Sequence, residues 1–308
     1  MFAKTYGATT LGVNGVLIDV EVDVSNGFPG FDIVGLLDTA VKESKERVRT
    51  AIKNSGFKLK QQKVTINLAP ANIRKDSSGL DLPIAIGLLI AYSVIPQEKT
   101  TAALFAAELS LEGELRAVSG ILPMTLHAKE RGLKKIFVAP ENANEAFLVD
   151  GIEVYPVKHL AELVDGLREE SSSLPITSAP DIQEPAAGER EDFADVQGQF
   201  MAKRALEIAA AGGHNVLMVG SPGAGKTMLA RRLASILPDM TRQEALEVTK
   251  IYSIAGLLQN HAGLITARPF RSPHHTTSST AIIGGGSIPR PGEVTLSHNG
   301  VLFLDGIQ

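Results

Sequence analysis

No cysteine occurs among the 308 residues, which excludes a disulfide scaffold, thiolate metal sites and a cysteine nucleophile. A reducing compartment suits such a chain. Also missing is any run of about 18 apolar residues, the least that a membrane-spanning helix needs. Met1-Phe-Ala-Lys-Thr5 opens no secretory leader, because Gly7, Asn14 and Asp19 interrupt each apolar stretch that could serve as its core. A cytoplasmic protein without membrane contact is expected. Basic excess is lacking too: 30 Lys and Arg face 34 Asp and Glu, a net charge of −4. With no global positive field, any nucleic-acid contact has to come from a local patch or from rings built by several subunits. No internal repeat is found, and 44% hydrophobic with 21% charged residues is ordinary for globular domains with real cores.

What is present begins with Val16-Leu-Ile-Asp-Val-Glu-Val-Asp-Val24, where Val16, Ile18, Val20, Val22 and Val24 share one face and Asp19, Glu21 and Asp23 the other. That alternation predicts a half-buried strand. Asp38 is placed to cap a helix with Val41, Val48 and Ile52 inward and Lys42, Lys45, Glu46 and Arg49 outward, ending at Gly56. Its charges alternate in sign through Glu43 and Glu46, so it reads as a solvated face, and Lys58, Lys60 and Lys63 read as a solvated strand edge. Lys63 to Leu68 predicts a second strand. Asp81 is a plausible cap, with Pro83 in the first turn of a nearly all-apolar helix to about Tyr92. A strand at 104–109, a turn at Glu112-Gly113, a helix from Leu122 to Arg131, a strand at 135–139 and a last strand and helix complete a modest α/β domain over residues 1–168. Residues 169–192 are polar and proline-bearing, the composition of a linker, and residues 193–308 form a second domain.

The second domain centres on Val216-Leu-Met-Val-Gly-Ser-Pro-Gly-Ala-Gly-Lys-Thr227. Gly220, Gly225, Lys226 and Thr227 occupy the fixed places of G-x-x-x-x-G-K-[ST], with Ser221, Pro222, Gly223 and Ala224 between them. Glycines let the backbone curl its N–H groups toward a polyphosphate, and the helix that follows adds its positive end. Lys226 is the residue to reach the β/γ-phosphates, and the Thr227 hydroxyl the one to ligate Mg²⁺. The flanks fit: Val216 to Val219 is an apolar run expected as a buried strand, and Leu229, Leu233, Ile236 and Leu237 share a helical face. ATP with Mg²⁺ is the expected ligand pair.

Several further stretches together resemble the ComM/YifB family of magnesium-chelatase-like AAA+ proteins over nearly the whole chain. They are Tyr6-Gly-Ala8, Gly27-Phe-Pro-Gly-Phe-Asp-Ile-Val-Gly-Leu36, Asn67-Leu-Ala-Pro-Ala-Asn-Ile-Arg-Lys-Asp76, Phe193-Ala-Asp-Val-Gln-Gly-Gln199, the P-loop, and Arg268-Pro-Phe-Arg-Ser-Pro-His-His275 through Gly300-Val-Leu-Phe-Leu-Asp305. The resemblance implies a Lon-protease-like, ribosomal-protein-like α/β domain over residues 1–168, then an incomplete P-loop AAA+ α/β domain. Lon-type proteases use a Ser-Lys dyad. The position of the serine after Lys75-Asp-Ser-Ser is Gly79, and the segment matching the lysine, Gly120-Ile-Leu-Pro-Met124, holds none. A non-proteolytic scaffold is expected, since Ser77 and Ser78 need a neutral base to activate them.

For the second domain the resemblance implies that Asp195 to Gln199 lies over the adenine, with contacts from Val196 and Gly198. It makes Val301-Leu-Phe-Leu-Asp305 a Walker B strand that brings Asp305 to Mg²⁺. In the family a glutamate that aligns the attacking water follows this aspartate; here the position is Gly306, so no catalytic base is assigned. Sensor residues, arginine finger and helical lid follow Walker B in the family, and the chain stops at Gln308, so a truncated module that binds nucleotide and hydrolyses it poorly is expected. Between the two motifs, Arg268, Arg271 and Arg290 are candidate DNA contacts by the same resemblance, although a solvated, proline-stiffened loop fits that stretch as well. Metal binding by His274, His275 and His298 is disfavoured, because adjacent side chains diverge and no carboxylate stands at ligand spacing. The implied function is an ATP-driven ring, a hexamer in the family, that moves on DNA in competence and branch migration. A chelatase-type motor for metal insertion and a non-enzymatic scaffold are the alternatives.

Overall fold

The computed structural model describes residues 1–35, 39–73, 75, 78–168, 192–258, 263–286 and 289–306, without the side chains of residues 39–42. Asp38, Ser77, the side chains of Val41 and Lys42, and the linker residues 169–191 lie outside this set. The chain forms two compact units.

Two long strands open the first unit, β1 (Phe2–Leu11) and β2 (Asn14–Ser25), antiparallel from Phe2 opposite Asp23 to Leu11 opposite Asn14. The turn passes through Gly12 at φ +61°, a left-handed conformation that favours glycine. β2 buries Ile18, Val20, Val22 and Val24, as its alternation requires. Strand β1 has no such signal, because Gly7, Ala8 and paired threonines blur its period, yet it lies near the middle of the sheet.

β3 (Gly30–Val34), α1 (Thr39–Asn54), β4 (Lys63–Ala69), a 3₁₀ turn at Ser78–Leu80, α2 (Asp81–Ala91) and β5 (Ala103–Ala106) follow. Next come the short hairpin β6 (Glu108–Leu109) with β7 (Leu115–Arg116), then α3 (Ile121–Glu130), β8 (Lys135–Val138), α4 (Ala143–Ala146), β9 (Glu153–Pro156) and α5 (Leu160–Arg168). The main sheet has seven strands in the order β3-β4-β2-β1-β5-β8-β9. Helices cover both faces. One face packs β2 and β4 residues against α1, α2 and α5; the other packs Leu104, Ile136 and Val154 against Ile121, Met124 and Ala128 of α3. Phe105, Phe137 and Tyr155 stack across β5, β8 and β9 with centroids 5.0 and 4.8 Å apart. α3 crosses β2 so closely that a Cβ on Gly15 would lie 2.2 Å from the Pro123 carbonyl oxygen.

α2 is buried along its whole length, as expected of an all-apolar helix. Asp81, however, is not its cap. Leu80 holds the cap position without a side-chain bond, and Asp81 sits in the first turn, fully buried. Its carboxylate accepts from Arg47 Nε at 2.9 Å and NH2 at 3.2 Å, from the Leu109 backbone N–H at 3.2 Å, and from the Ser44 hydroxyl. A buried ion pair whose lone pairs are filled in this way ties α1 to α2 and β6.

The second unit holds a 3₁₀ turn at Phe193–Asp195, α6 (Phe200–Gly212), α7 (Lys226–Leu233), a 3₁₀ turn at Ala234–Ile236, α8 (Arg242–Ile254), β10 (Phe270–Arg271), α9 (Ser279–Ile283), β11 (Gly284–Gly285), β12 (Arg290–Pro291), α10 (Glu293–Leu296) and β13 (Val301–Leu302). Its core gathers Phe193, Val196, Leu206 and Leu229, with Met218, Leu233 and Ile236 against them. β10 and β13 are parallel, and β11 and β12 antiparallel. The apolar run Val216 to Val219 differs from its expectation: it is in no strand, and Leu217 and Val219 are 84% and 89% exposed. A parallel strand is buried only when ladders and helices cover it, and no described strand pairs with this one.

Candidate functional site

The P-loop turns through Gly223 at φ +79° and Gly225 at φ +84°, conformations that a side chain strains. Gly225 is the N-cap of α7 and brings no side-chain cap, so the first-turn N–H groups are left for a ligand. Ala224 N–H closes an inner turn onto the Ser221 carbonyl at 3.2 Å. Lys226 Nζ folds back over the loop, donating to the carbonyls of Gly220 at 2.9 Å and Ser221 at 3.0 Å. Its charge is thereby parked at the mouth of the loop, a position from which an anion can draw it.

The segment carrying Asp305 reaches the same place from the other end of the unit, although only Val301–Leu302 of the strand expected over Val301 to Asp305 is a strand. β13 pairs with β10 at Phe270 opposite Val301 and Arg271 opposite Leu302, and Phe303 N–H extends the ladder to the Arg271 carbonyl at 2.8 Å. Glycine at 300 permits the approach, since a Cβ there would lie 2.1 Å from the Pro269 carbonyl oxygen. Asp305 then stands where Thr227 Oγ1 donates to its Oδ2 at 3.4 Å, across 78 residues of sequence. A hydroxyl and a carboxylate side by side at the end of a phosphate-type loop are an oxygen donor set of the kind Mg²⁺ takes. Gly306 has φ +68° and no atom within 4 Å of where a Cβ would stand.

On the loop's flank, Val196 is buried in the core of the unit at 1% exposure, while Gly198 at φ +68° turns the chain into α6. Gln199, to which the sequence assigns no side-chain role, donates from Nε2 to the Ala224 carbonyl at 3.4 Å and so ties this segment to the P-loop. Only its place after Gly198 could have marked it. The 3₁₀ turn is fixed by a capping box between Asp192 and Asp195, and Arg232 of α7 lies 3.8 Å from Asp195 Oδ2. A cavity of about 620 Å³ opens beside these elements, lined by Asp192, Arg231, Ser235, Pro238, Arg268 and Phe270 among others.

The three candidate DNA-contact arginines are placed differently. Arg268, 15% exposed, donates to the carbonyls of Pro238, Asp239 and Asn299 and pairs with Glu244 at 3.5 Å. Arg271 grips Glu293 with two bonds of 2.6 and 2.7 Å, which hold the Glu293 carboxyl below its ordinary range. Arg290 is exposed on β12, opposite Gly285. The rings of His274 and His275 lie 4.1 Å apart, and His298 stands against Glu247 on α8. Among the described residues no group of three or more His, Asp or Glu is placed to hold a metal.

In the first unit, Gly79 is buried within the 3₁₀ turn before α2, and the Gly120 to Met124 segment begins α3. Lys75 is fully buried, donates from Nζ to the Pro70 carbonyl, and is pushed down from the ordinary lysine range by burial. No described helix is long and apolar enough to cross a membrane.

Residues 192–308 match the family described as magnesium chelatase, subunit ChlI, and residues 20–142 the one described as subunit ChlI of Mg-chelatase. Competence protein ComM of Haemophilus influenzae is 44% identical over 98% of this chain and 60% of its own length. The uncharacterized protein YifB of Salmonella typhimurium is 46% identical over 98% of this chain and 59% of its own. Lon protease 2 of Bacillus subtilis is 29% identical over 52% of this chain and 32% of its own. The chain thus spans about 60% of the length of the ComM relative. With a Lon-like α/β unit ahead of a chelatase-type P-loop unit, it belongs to the ComM/YifB family of magnesium-chelatase-like proteins.

Proposed function

We propose that the second unit binds ATP with Mg²⁺ and that, in a complete assembly, several copies form a ring that couples ATP hydrolysis to movement on DNA. The observation that carries the nucleotide part is the meeting of Lys226, Thr227 and Asp305 at the glycine loop. Backbone N–H groups from Gly223 to Thr227 bind the phosphates, Lys226 leaves its carbonyl partners for the β/γ oxygens, and Gln199 holds the Val196–Gly198 segment beside the nucleotide. Thr227 and Asp305 hold Mg²⁺, which neutralises charge on the phosphates. Gly306 can neither accept a proton from water nor align it, so turnover is slow: loss of general-base help costs about 10²–10⁴ in rate. For the DNA part the support is the resemblance to the ComM/YifB family.

Titration of the chain with a fluorescent ATP analogue, with and without Mg²⁺, tests the site. Binding that needs Mg²⁺ and weakens with Asp305→Asn supports it; binding indifferent to both sinks it. Gly306→Glu should raise turnover if the missing base limits the rate. The chelatase descriptions favour a second reading, a motor for metal insertion into a porphyrin. ATP turnover stimulated by porphyrin and Mg²⁺ but not by DNA would select it.

A further inference from the structure

The cations of α1 and of the loop before β4 look scattered in sequence, but the fold sorts them. Arg47 turns inward to Asp81, while Lys45, Arg49 and Lys53 line up at i, i+4 and i+8 on the other side of the helix. The row advances about 6 Å per step. Facing it is the loop bearing Lys58 and Lys60. The two rows frame a pair of adjoining clefts of about 310 and 470 Å³ that share Arg49 and Leu59. Five cations, Lys45, Arg49, Lys53, Lys58 and Lys60, line them against one acid, Glu46, in a chain whose net charge is −4. Glu46 approaches Arg49 only to 3.9 Å, and no described acid pairs with the four lysines.

The clefts are built rather than incidental. Lys45 Nζ and Arg49 Cζ lie 5.8 and 5.9 Å from the Phe31 ring centroid, so cation–π attraction holds both heads over the cleft. Tyr92 OH donates to the Lys60 carbonyl at 2.9 Å, and Gln62 Nε2 to Asn26 Oδ1 at 3.2 Å, which pins the loop to its neighbours. Next to the lining residue Pro29 stands Phe28, 95% exposed. No packing accounts for an aromatic ring left in water, and a flat apolar face beside a cationic track is how unpaired bases are held.

We infer that this face of the first unit binds single-stranded nucleic acid, with the phosphates along the Lys45–Arg49–Lys53 and Lys58–Lys60 rows and a base stacked on Phe28. An extended row suits a chain of phosphates; one converging pocket would suit a single phosphate. A duplex keeps its bases paired and offers nothing to Phe28. The inference is independent of the nucleotide site.

The test is fluorescence anisotropy of a labelled oligo-dT strand with the full 308-residue chain, without ATP, across a salt series. The triple variant K53Q/K58Q/K60Q should lower the slope of log K against log salt by about 2, given about 0.7 per phosphate contact on a single strand. Phe28→Ala should weaken binding about tenfold, the effect of one lost stack. The control K129Q/K134Q, two exposed lysines near the other sheet edge, should bind as wild type. No binding, a triple variant that binds as wild type, an equal loss in the control, or displacement by polyglutamate with Phe28→Ala silent each overturns the inference. The last would mark the face as a site for acidic protein segments. Unchanged thermal unfolding in each variant shows that the fold is intact.

Discussion

Replacing Lys226 by alanine separates a structural from a ligand-binding role for the P-loop lysine. Among the described residues its ammonium bonds only the Gly220 and Ser221 carbonyls, at the surface. Neutral hydrogen bonds contribute about 0.5–1.5 kcal/mol net, and exposed ones fall at the low end, so Lys226→Ala should leave the unfolding of the free chain almost unchanged. With ATP the balance differs. Ligand at 100 times its Kd stabilises the native state by about 2.7 kcal/mol. A charge-assisted contact to phosphate is worth about 1.5–3 kcal/mol, so its loss raises Kd by roughly 10–100-fold. At the same ATP concentration the stabilisation then falls to about 1.4 kcal/mol for a tenfold loss and about 0.4 kcal/mol for a hundredfold one. Urea unfolding of the second unit, followed with and without ATP-Mg²⁺, measures both quantities. A variant that keeps the full ATP-induced shift refutes the role given to Lys226, and one that unfolds much more readily without ATP shows the loop to depend on those two carbonyl bonds.

Asp81→Ala should destabilise the first unit by about 3–5 kcal/mol in urea unfolding, because it leaves the Arg47 guanidinium partly buried and unpaired; R47A/D81A together should restore part of that loss. Gly15→Ala should cost about 1–3 kcal/mol, since the added methyl meets the Pro123 backbone and either β2 or α3 has to shift. The Glu293 carboxyl, lowered by its bond to Arg271, contributes stability that is present above its ordinary value of 4.5 and is lost as pH falls through its lower value in the folded chain. Glu293→Gln should therefore flatten that part of the acid-unfolding curve, and a profile identical to wild type would refute the pairing.

The elements with a strong period were legible. Val16 to Val24 alternates and forms β2, and the all-apolar run after Asp81 forms the buried α2. Strand β1 was not legible, because small residues at Gly7 and Ala8 carry no hydrophobic contrast and its place between β2 and β5 is set by long-range pairing. Asp81 reads as a cap in the sequence because a helix-starting aspartate looks the same whether it turns back to its own N–H groups or reaches Arg47 on another helix. The glycine loop was plain in sequence, since the motif is contiguous. The bond from Gln199 to Ala224 was hidden, because nothing local marks a side chain that bridges 25 residues.

The sequence by itself determined the family, the contiguous glycine motif and the glycine at 306, since each is carried by neighbouring residues whose chemistry does not depend on what packs against them. Tertiary structure decided the rest. It joined Thr227 to Asp305, set Arg268 half-buried among carbonyls, neutralised Arg271 with Glu293, and left Lys45, Arg49, Lys53, Lys58 and Lys60 facing one track beside Phe28. A formal charge is a property of the residue; whether it is available is a property of what the fold sets within about 4 Å of it.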